Sequence, residues 1–298
     1  MAAQELHLEV MKTLWVWAKY ASLDPHELKK KLLLAKGKYG YTAWDRAAIE
    51  GNLEALELLW NWAGETQINK TNLLLAENVK RKTAWQIAAQ ELHIEMMKKV
   101  WVWAKYAPMN PNELKNKLLL VNGRDGYTAW QRAADRGSLE ALGTLWIWAK
   151  EVGLNTEELL LGKNMKIKTA WQIAAQRGHF EILQKLWAWA KEEQLKPNKL
   201  KNRMLLFKDK YGETVFHLAA ESGSLEVLEI LWNWVRDVQL KPAELLLLQN
   251  KHGYTAWQLA ANSVRLEVLK KLWEWAKQSQ LKTNQLKNKL LLSKDQYG

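Results

Sequence analysis

The chain has 298 residues, of which 48% are hydrophobic and 26% are charged, and its formal net charge is +12. This composition is that of a globular protein and excludes a disordered chain. There is no cysteine, which excludes disulfides, thiolate metal sites and a cysteine nucleophile.

The sequence predicts no membrane-spanning segment, because a charge or an amide interrupts each apolar run before about 18 residues. The N-terminal stretch MAAQELHLEV carries acidic residues and lacks the apolar centre of a signal peptide. We therefore expect a cytoplasmic location by default. Secretion without a classical signal peptide stays open as an alternative.

An internal repeat organises the whole chain. The triplet Thr-Ala-Trp begins at residues 42, 83, 128, 169 and 255, and Thr-Val-Phe at 214 takes the remaining place, with spacings that alternate between 41 and 45. Such a period predicts a solenoid or a related array. We expect one array domain over residues 1–298 with about seven repeats, namely a partial repeat 1–41 and then 42–82, 83–127, 128–168, 169–213, 214–254 and 255–298.

Three elements are predicted in each repeat, in chain order. A short first helix begins after an N-cap such as Thr214 and stops at a glycine such as Gly223. An amphipathic second helix follows, as in SLEVLEILWNWVR. A third, proline-started helix then opens on a capping box with Asp24 or Asn110 as N-cap, and a turn such as KDKYG closes the repeat. The third helix is four residues longer in alternate repeats, which is about one helical turn.

Each second helix carries two tryptophans two positions apart, so their rings point about 200° apart. One buried face cannot hold both, but a helix that packs between two neighbouring repeats has two buried faces. A residue required in every repeat is more simply a packing element than a ligand-binding group. The predicted core tryptophans are Trp44, Trp60, Trp62, Trp85, Trp101, Trp103, Trp130, Trp146, Trp148, Trp171, Trp187, Trp189, Trp232, Trp234, Trp257, Trp273 and Trp275.

The stretch YGETVFHLAAESGSLEVLEIL, with Thr214, His217, Ala219-Ala220 and Gly223, resembles the ankyrin repeat. The resemblance implies an all-α, ankyrin-like solenoid of two antiparallel helices per repeat, here with a short third helix, linked by turn fingers and with little or no β-structure. The repeats depart from the family by eight or twelve extra residues, and by Trp for Leu and Ala for Pro in the triplet. Their length alone also fits HEAT-type repeats, which stay the structural alternative.

No catalytic, cofactor-binding or metal-binding residues are predicted, and we expect no cofactor and no enzymatic activity. His7, His93 and His179 recur at one repeat position, which indicates a structural role, and no metal-ligand spacing or nucleotide-binding motif is present. Arg46 and Arg132 stand where the other repeats have Ile or Leu. We expect their heads to reach an edge beside Asp45 or Asp135, although a polar contact reserved for a ligand is the alternative.

The positive charge is concentrated between the helix pairs. These connectors hold 27 basic and 16 acidic residues, whereas the helix pairs hold 17 and 16. Equivalent positions line up in a solenoid, so we expect a basic stripe that serves either solubility or an anionic partner. The stripe comprises Lys29, Lys30, Lys31, Lys80, Arg81, Lys82, Lys115, Lys117, Lys199, Lys201, Arg203, Lys287 and Lys289.

The ankyrin resemblance implies a non-enzymatic scaffold for protein–protein interaction, and we expect a protein partner, acidic if the basic stripe contributes. The predicted readout surface follows the Ala-Ala pair of each first helix and comprises Glu50, Glu91, Asp135, Arg136, Gln176, Arg177, Glu221 and Asn262. One alternative is binding of nucleic acid or another polyanion, which is not favoured because the tryptophans are assigned to the core. Another is a spacer array of a larger protein, or one that self-associates end to end through repeats without polar caps.

Overall fold

A computed structural model of the chain describes residues 8–17, 20, 24–37, 40–66, 68–80, 82–107, 109–123, 125–164 and 167–279. These residues form α-helices, two π-helical turns and one isolated antiparallel bridge between Lys163 and Thr169, with no strand among them. The predicted all-α, ankyrin-like class is confirmed. The chain divides into an N-terminal unit, residues 1–132, and a C-terminal unit, residues 133–298. A single array domain over the whole chain stays a prediction.

The first helix of each repeat begins directly after the triplet threonine. In all six the threonine hydroxyl accepts from the backbone N–H of the third helical residue, whose side chain accepts from the threonine N–H. The predicted cap at Thr214 is therefore present, and Gly223 ends that helix in a left-handed conformation. The first helices are α3 (Ala43–Glu50), α6 (Ala84–Glu91), α9 (Ala129–Arg136), α12 (Ala170–Arg177), α15 (Val215–Ser222) and α18 (Ala256–Asn262).

The second helices are longer and amphipathic. Three of them begin at a residue whose side chain accepts a backbone N–H, namely Asn52, Ser138 and Ser224. The second helices are α1 (Leu8–Trp17), α4 (Leu53–Glu65), α7 (Ile94–Tyr106), α10 (Leu139–Glu151), α13 (Phe180–Glu192), α16 (Leu225–Asp237) and α19 (Leu266–Gln278).

The predicted third helices are present and short. At Asn110 the reciprocal capping box forms, because Glu113 N–H donates to Asn110 Oδ1 at 3.0 Å and Asn110 N–H donates to Glu113 Oε2 at 3.2 Å. Asp24 instead accepts from the N–H of His26 at 3.0 Å. The third helices are α2 (Pro25–Leu34), α5 (Lys70–Leu75), α8 (Pro111–Leu114), α11 (Thr156–Leu161), α14 (Pro197–Leu200) and α17 (Pro242–Leu246).

The four extra residues of the long repeats take two forms. In the first of these repeats α2 is α-helical over all ten residues, as predicted. In two of these repeats the third helix continues as a π-helical turn, at Lys115–Leu119 and Lys201–Leu205. The second turn closes with a bond of 2.9 Å from Leu206 N–H to Lys201 O, five residues back. This wider turn takes up the additional residues while Leu118 and Leu205 stay buried.

Alanines bring neighbouring first helices together within each unit. Helix α3 packs on α6 in the N-terminal unit, and α15 packs between α12 and α18 in the C-terminal unit. Ala47, Ala88, Ala174 and Ala219 are fully buried in these helices. Because their side chains are small, the first helices approach closely, and the larger indole rings fill the space between first and second helices.

Candidate functional site

The tryptophans of the second helices form stacks between repeats. Each described stack joins the first tryptophan of one pair to the second tryptophan of the next pair, with ring centroids 4.2–4.6 Å apart and planes within 11° of parallel. The two rings of one helix point apart because one faces the preceding repeat and the other faces the following repeat. The stacks are Trp15–Trp62, Trp60–Trp103, Trp146–Trp189, Trp187–Trp234 and Trp232–Trp275.

Lysines lie over the rings of these stacks. In the Trp146–Trp189 stack, Lys150 Nζ is 5.2 Å from the centroid of Trp146 and Lys185 Nζ is 5.1 Å from that of Trp189. A cation at this distance from an indole face contributes about 0.5–1 kcal/mol where it is exposed. A lysine lies over at least one ring of each of the five stacks, where it stabilises the stack and keeps its outer edge polar.

Most of the predicted core tryptophans are buried. The exceptions are Trp232, Trp257 and Trp273, which are half-buried. Trp17, the second tryptophan of the first pair, is 63% exposed and has no ring contact among the described residues. Its position in the repeat matches that of buried residues such as Trp189.

In α12 and α15 the third residue of the first helix joins the helix cap to the connector of the same repeat. Gln172 accepts from Thr169 in its own cap, and its Nε2 donates to the carbonyls of Phe207 at 3.1 Å and Glu213 at 2.9 Å in the connector that follows. His217 has the same role, because its Nδ1 accepts from Thr214 and its Nε2 lies 3.0 Å from the carbonyl oxygen of Leu248. Glutamine and histidine are thus equivalent here, since each offers one acceptor and one donor.

His217 is neutral in the folded protein. Burial lowers its pKa from 6.5 to about 4, and a smaller opposing effect comes from its hydrogen bond to the backbone of Leu248. An imidazole that uses one nitrogen as acceptor and the other as donor is the neutral tautomer. His217 is therefore a packing and capping group.

Tight turns, here called fingers, precede the first helices. Each described finger in the C-terminal unit closes with a backbone bond such as Asp209 N–H to Glu213 O at 2.9 Å, and Asp209 Oδ1 accepts from two N–H groups within the turn. Adjacent fingers are also joined, because Lys251 N–H donates to Tyr211 O at 2.9 Å and Lys208 Nζ donates to Gln249 O at 2.8 Å. These bonds hold the two finger tips in a fixed row.

Ile167 occupies a strained position at a finger tip. Its φ is 61°, whereas Gly126, Gly212 and Gly253 hold the equivalent left-handed position in other fingers. A β-branched residue in this region is an outlier. We expect Ile167→Gly to raise the free energy of unfolding by about 0.5–1 kcal/mol, because the relief of strain exceeds the entropic cost of glycine. A urea titration measures the change, and an unchanged or lower stability contradicts it.

The residues of the predicted readout surface differ in their exposure to solvent. Glu50, Glu91, Arg136, Gln176, Arg177 and Asn262 are exposed and Glu221 is half-exposed. Asp135 is buried, because its carboxylate accepts from Arg177 Nε of the following repeat at 2.9 Å. Asp135 is therefore part of the contact between two repeats and positions Arg177. Gln176 is similarly held, since its amide oxygen accepts from Lys168 Nζ at 2.8 Å.

The predicted basic stripe is partly neutralised. Lys29 is buried, with its Nζ 2.9 Å from Glu65 Oε2 and 4.6 Å from the centroid of the Trp15 ring. Lys117 and Lys199 are paired with Glu113 at 3.2 Å and Glu157 at 2.7 Å. Lys30 lies 3.9 Å from Glu27. The remaining described members are Lys31, Lys80, Lys82, Lys201 and Arg203. Arg81, Lys287, Lys289 and the side chain of Lys115 lie outside the described part of the chain.

The two unusual arginines have partners other than those expected. Arg46 pairs with Glu50 one turn along α3, and Arg132 pairs with Asp125 and lies 4.8 Å from the centroid of the Tyr127 ring. The expected partners were Asp45 and Asp135. Asp45 is instead used as the capping residue of α3, and burial, the largest effect, raises its pKa.

Two of the repeated histidines pack against the preceding repeat. His93 Nε2 lies 3.3 Å from Ile49 O and His179 Nε2 lies 3.1 Å from Asp135 O. His7 lies outside the described residues. In the described part of the chain, no group of three or more His, Asp or Glu side chains is arranged to hold a metal ion. None of the described helices combines the length and the apolar character needed to cross a membrane.

Comparison with known families supports the resemblance seen in the sequence. A family model described as ankyrin repeats (3 copies) matches residues 145–242 and 174–285. Both matches lie in the C-terminal unit and include α13, α15 and α16. A comparison with curated proteins gives no significant match.

Proposed function

We infer from the ankyrin repeat family, to which residues 145–285 of this chain belong, that the repeats form a non-enzymatic scaffold that binds a protein partner. Ankyrin repeats generally mediate protein–protein interaction, and the family is typically not enzymatic. The proposed binding surface, here called the finger face, comprises the finger tips of the C-terminal unit, the exposed end of α12 and the half-exposed end of α15.

The row of joined fingers is the observation that carries this proposal. The bonds from Lys251 to Tyr211 and from Lys208 to Gln249 fix two finger tips in place before any partner arrives. A surface that is already ordered loses less conformational entropy on binding. Tyr211 is exposed within this row, and tyrosine is enriched at protein interfaces.

The charge of the finger face favours an acidic partner. Four lysines at the finger tips are exposed, namely Lys163, Lys208, Lys210 and Lys251. The acidic groups of the same fingers are less accessible to solvent, because Asp209 is buried and Glu213 is half-buried. Burial also raises the pKa of the Glu213 carboxyl. An excess of exposed cations accelerates encounter with an acidic surface and selects against a basic one.

The test is proximity labelling of partners by the full chain, compared among matched variants. We expect the double variant Lys210→Glu, Tyr211→Ala to reduce labelling of its main partners at least tenfold. The control is Lys241→Glu, which reverses the same charge at an exposed residue ahead of α17, away from the finger tips. Equal labelling by all three proteins contradicts the finger face as the binding surface.

Polyanion binding through the basic stripe is the second candidate function. Lys29, Lys117 and Lys199 already have carboxylate partners, so fewer cations than the net charge suggests are available for phosphates. We expect labelled single- and double-stranded nucleic acid to bind weakly, with log affinity against log salt having a slope shallower than about −2. Tight binding with a steep slope contradicts this expectation and favours the polyanion function.

A further inference from the structure

Helix α15 of the C-terminal unit has a carboxylate near each end, at two positions that form a hydrogen bond at α12. The positions are the residue before the triplet threonine and the residue eight places further on. At α12 they are Lys168 and Gln176, and Lys168 Nζ donates to Gln176 Oε1 at 2.8 Å. The same lysine–glutamine pair forms at α6. At α15 they are Glu213 and Glu221, here called the glutamate pair, so a carboxylate stands where the other helices have an ammonium group.

The glutamate pair has too few cations around it. Glu213 is half-buried, and burial raises the pKa of its carboxyl, with smaller contributions in the same direction from the charges of Asp209 and Glu221. Lys168 has the opposite effect, but its ammonium group is hydrogen-bonded to Gln176 and lies 3.5 Å from Asp209 Oδ2. Neither Glu213 nor Glu221 forms an ion pair within the described ranges. Three carboxylates therefore share one ammonium group.

A buried oxygen beside the glutamate pair also lacks a hydrogen bond. Asp209 is 4% exposed, and its Oδ1 accepts from the N–H groups of Tyr211 and Glu213. Its Oδ2 accepts no hydrogen bond from any residue that the structure describes. A buried carboxylate whose charge is incompletely compensated favours a further cation nearby. Because Lys168 is already shared, that cation has to come from another molecule.

The backbone that carries the glutamate pair is already fixed. Gln172 Nε2 donates to Glu213 O at 2.9 Å, and Arg265 Nε donates to Glu221 O at 3.1 Å. Helix α15 packs between α12 and α18. Only the two glutamate side chains have to become ordered when a ligand binds, so the loss of conformational entropy is small.

We propose that an arginine side chain of the protein partner binds between the carboxylates of Glu213 and Glu221. A guanidinium group presents several donors in one plane and forms parallel pairs of hydrogen bonds with carboxylates, so one arginine can serve both side chains. The inference rests on the proposed function, since Glu221 lies at the end of α15 that belongs to the finger face. The lysines at the finger tips favour acidic residues on either side of that arginine.

The probe is a fluorescent peptide in which aspartates flank a single central arginine. A matched peptide has citrulline, which is neutral and of nearly the same shape, in place of the arginine. Fluorescence anisotropy with the full chain measures both affinities. We expect the arginine peptide to bind about tenfold more tightly, because a partly desolvated charge pair adds to affinity. An arginine peptide that binds no more tightly than the citrulline peptide overturns the proposal.

A double variant removes the charge of the glutamate pair. Glu213→Gln, Glu221→Gln should bind the two peptides equally, and it should keep the native circular dichroism because Gln176 already holds the second position at α12. The control Glu226→Gln, Glu274→Gln removes the same charge from two exposed residues and should retain the preference for arginine. A preference that persists in the first variant also overturns the proposal.

The same measurement separates this proposal from the finger face on which it rests. The variant Lys210→Glu, Tyr211→Ala should weaken the binding of both peptides by a similar factor and leave their ratio unchanged. Unchanged binding by this variant counts against the finger face. Loss of the ratio in the native chain counts against the glutamate pair alone.

Discussion

We expect Trp189→Ala to lower the free energy of unfolding of the C-terminal unit by about 3–5 kcal/mol, as truncation of a buried tryptophan does. The ring is buried, stacks on Trp146 at 4.6 Å, and carries Lys185 over its face at 5.1 Å. The substitution removes both contacts and leaves a cavity between two repeats. Urea unfolding followed by circular dichroism measures the loss.

Trp17→Ala is the matched control for this substitution. Trp17 holds the same repeat position but is exposed, so at low protein concentration we expect a change within about 0.5 kcal/mol. A double-mutant cycle between Trp189→Ala and Trp146→Ala should give a coupling energy of about 0.5–1.5 kcal/mol. Equal losses at Trp17 and Trp189 would show that the stack contributes nothing beyond burial of the helix.

The second prediction with a large effect is that His217 makes the free energy of unfolding depend on pH. Burial lowers the pKa of His217 to about 4 from its ordinary 6.5. Between these values the unfolded chain binds a proton that the folded chain does not, so the stability from this group is complete above pH 6.5 and falls as the pH drops towards 4. The loss across this window is on the order of 3 kcal/mol.

His217→Gln isolates this contribution. Gln172 forms both bonds of this position in another repeat, so at pH 7.5 we expect the variant to be within about 1 kcal/mol of the native chain. At pH 4.5 the variant should be the more stable of the two, because glutamine does not titrate and the carboxylates common to both proteins cancel in the comparison. If both proteins lose stability in parallel between pH 7.5 and pH 4.5, the folded histidine is already protonated or its pKa is unshifted.

Local signals in the sequence were sufficient to predict the order of the helices within a repeat. A threonine whose hydroxyl caps the third N–H, and a proline at the first position of a helix, act within a few residues of each other. Thr214 and Asn110 could therefore be assigned as N-caps without knowledge of the fold. The glycine at residue 223 could be assigned for the same reason, since its left-handed conformation is a property of the chain at that point.

Contacts between repeats could not be predicted from local signals in the sequence. The partner of Lys29 is Glu65, and that of Asp135 is Arg177, which lie 36 and 42 residues away. Periodicity indicated that both tryptophans of a helix are buried, but it did not show that a first ring stacks on the second ring of the following repeat. The π-helical turns also escaped prediction, because an extra length of four residues fits an α-helical turn equally well.

The way in which the rings are shared has a consequence for how such a gene can evolve. Since each repeat contributes one half of a stack to either neighbour, loss of an internal repeat brings together a first and a second tryptophan that had different partners before. No indole is orphaned at the new junction. The tryptophan stacks therefore do not by themselves fix the number of repeats.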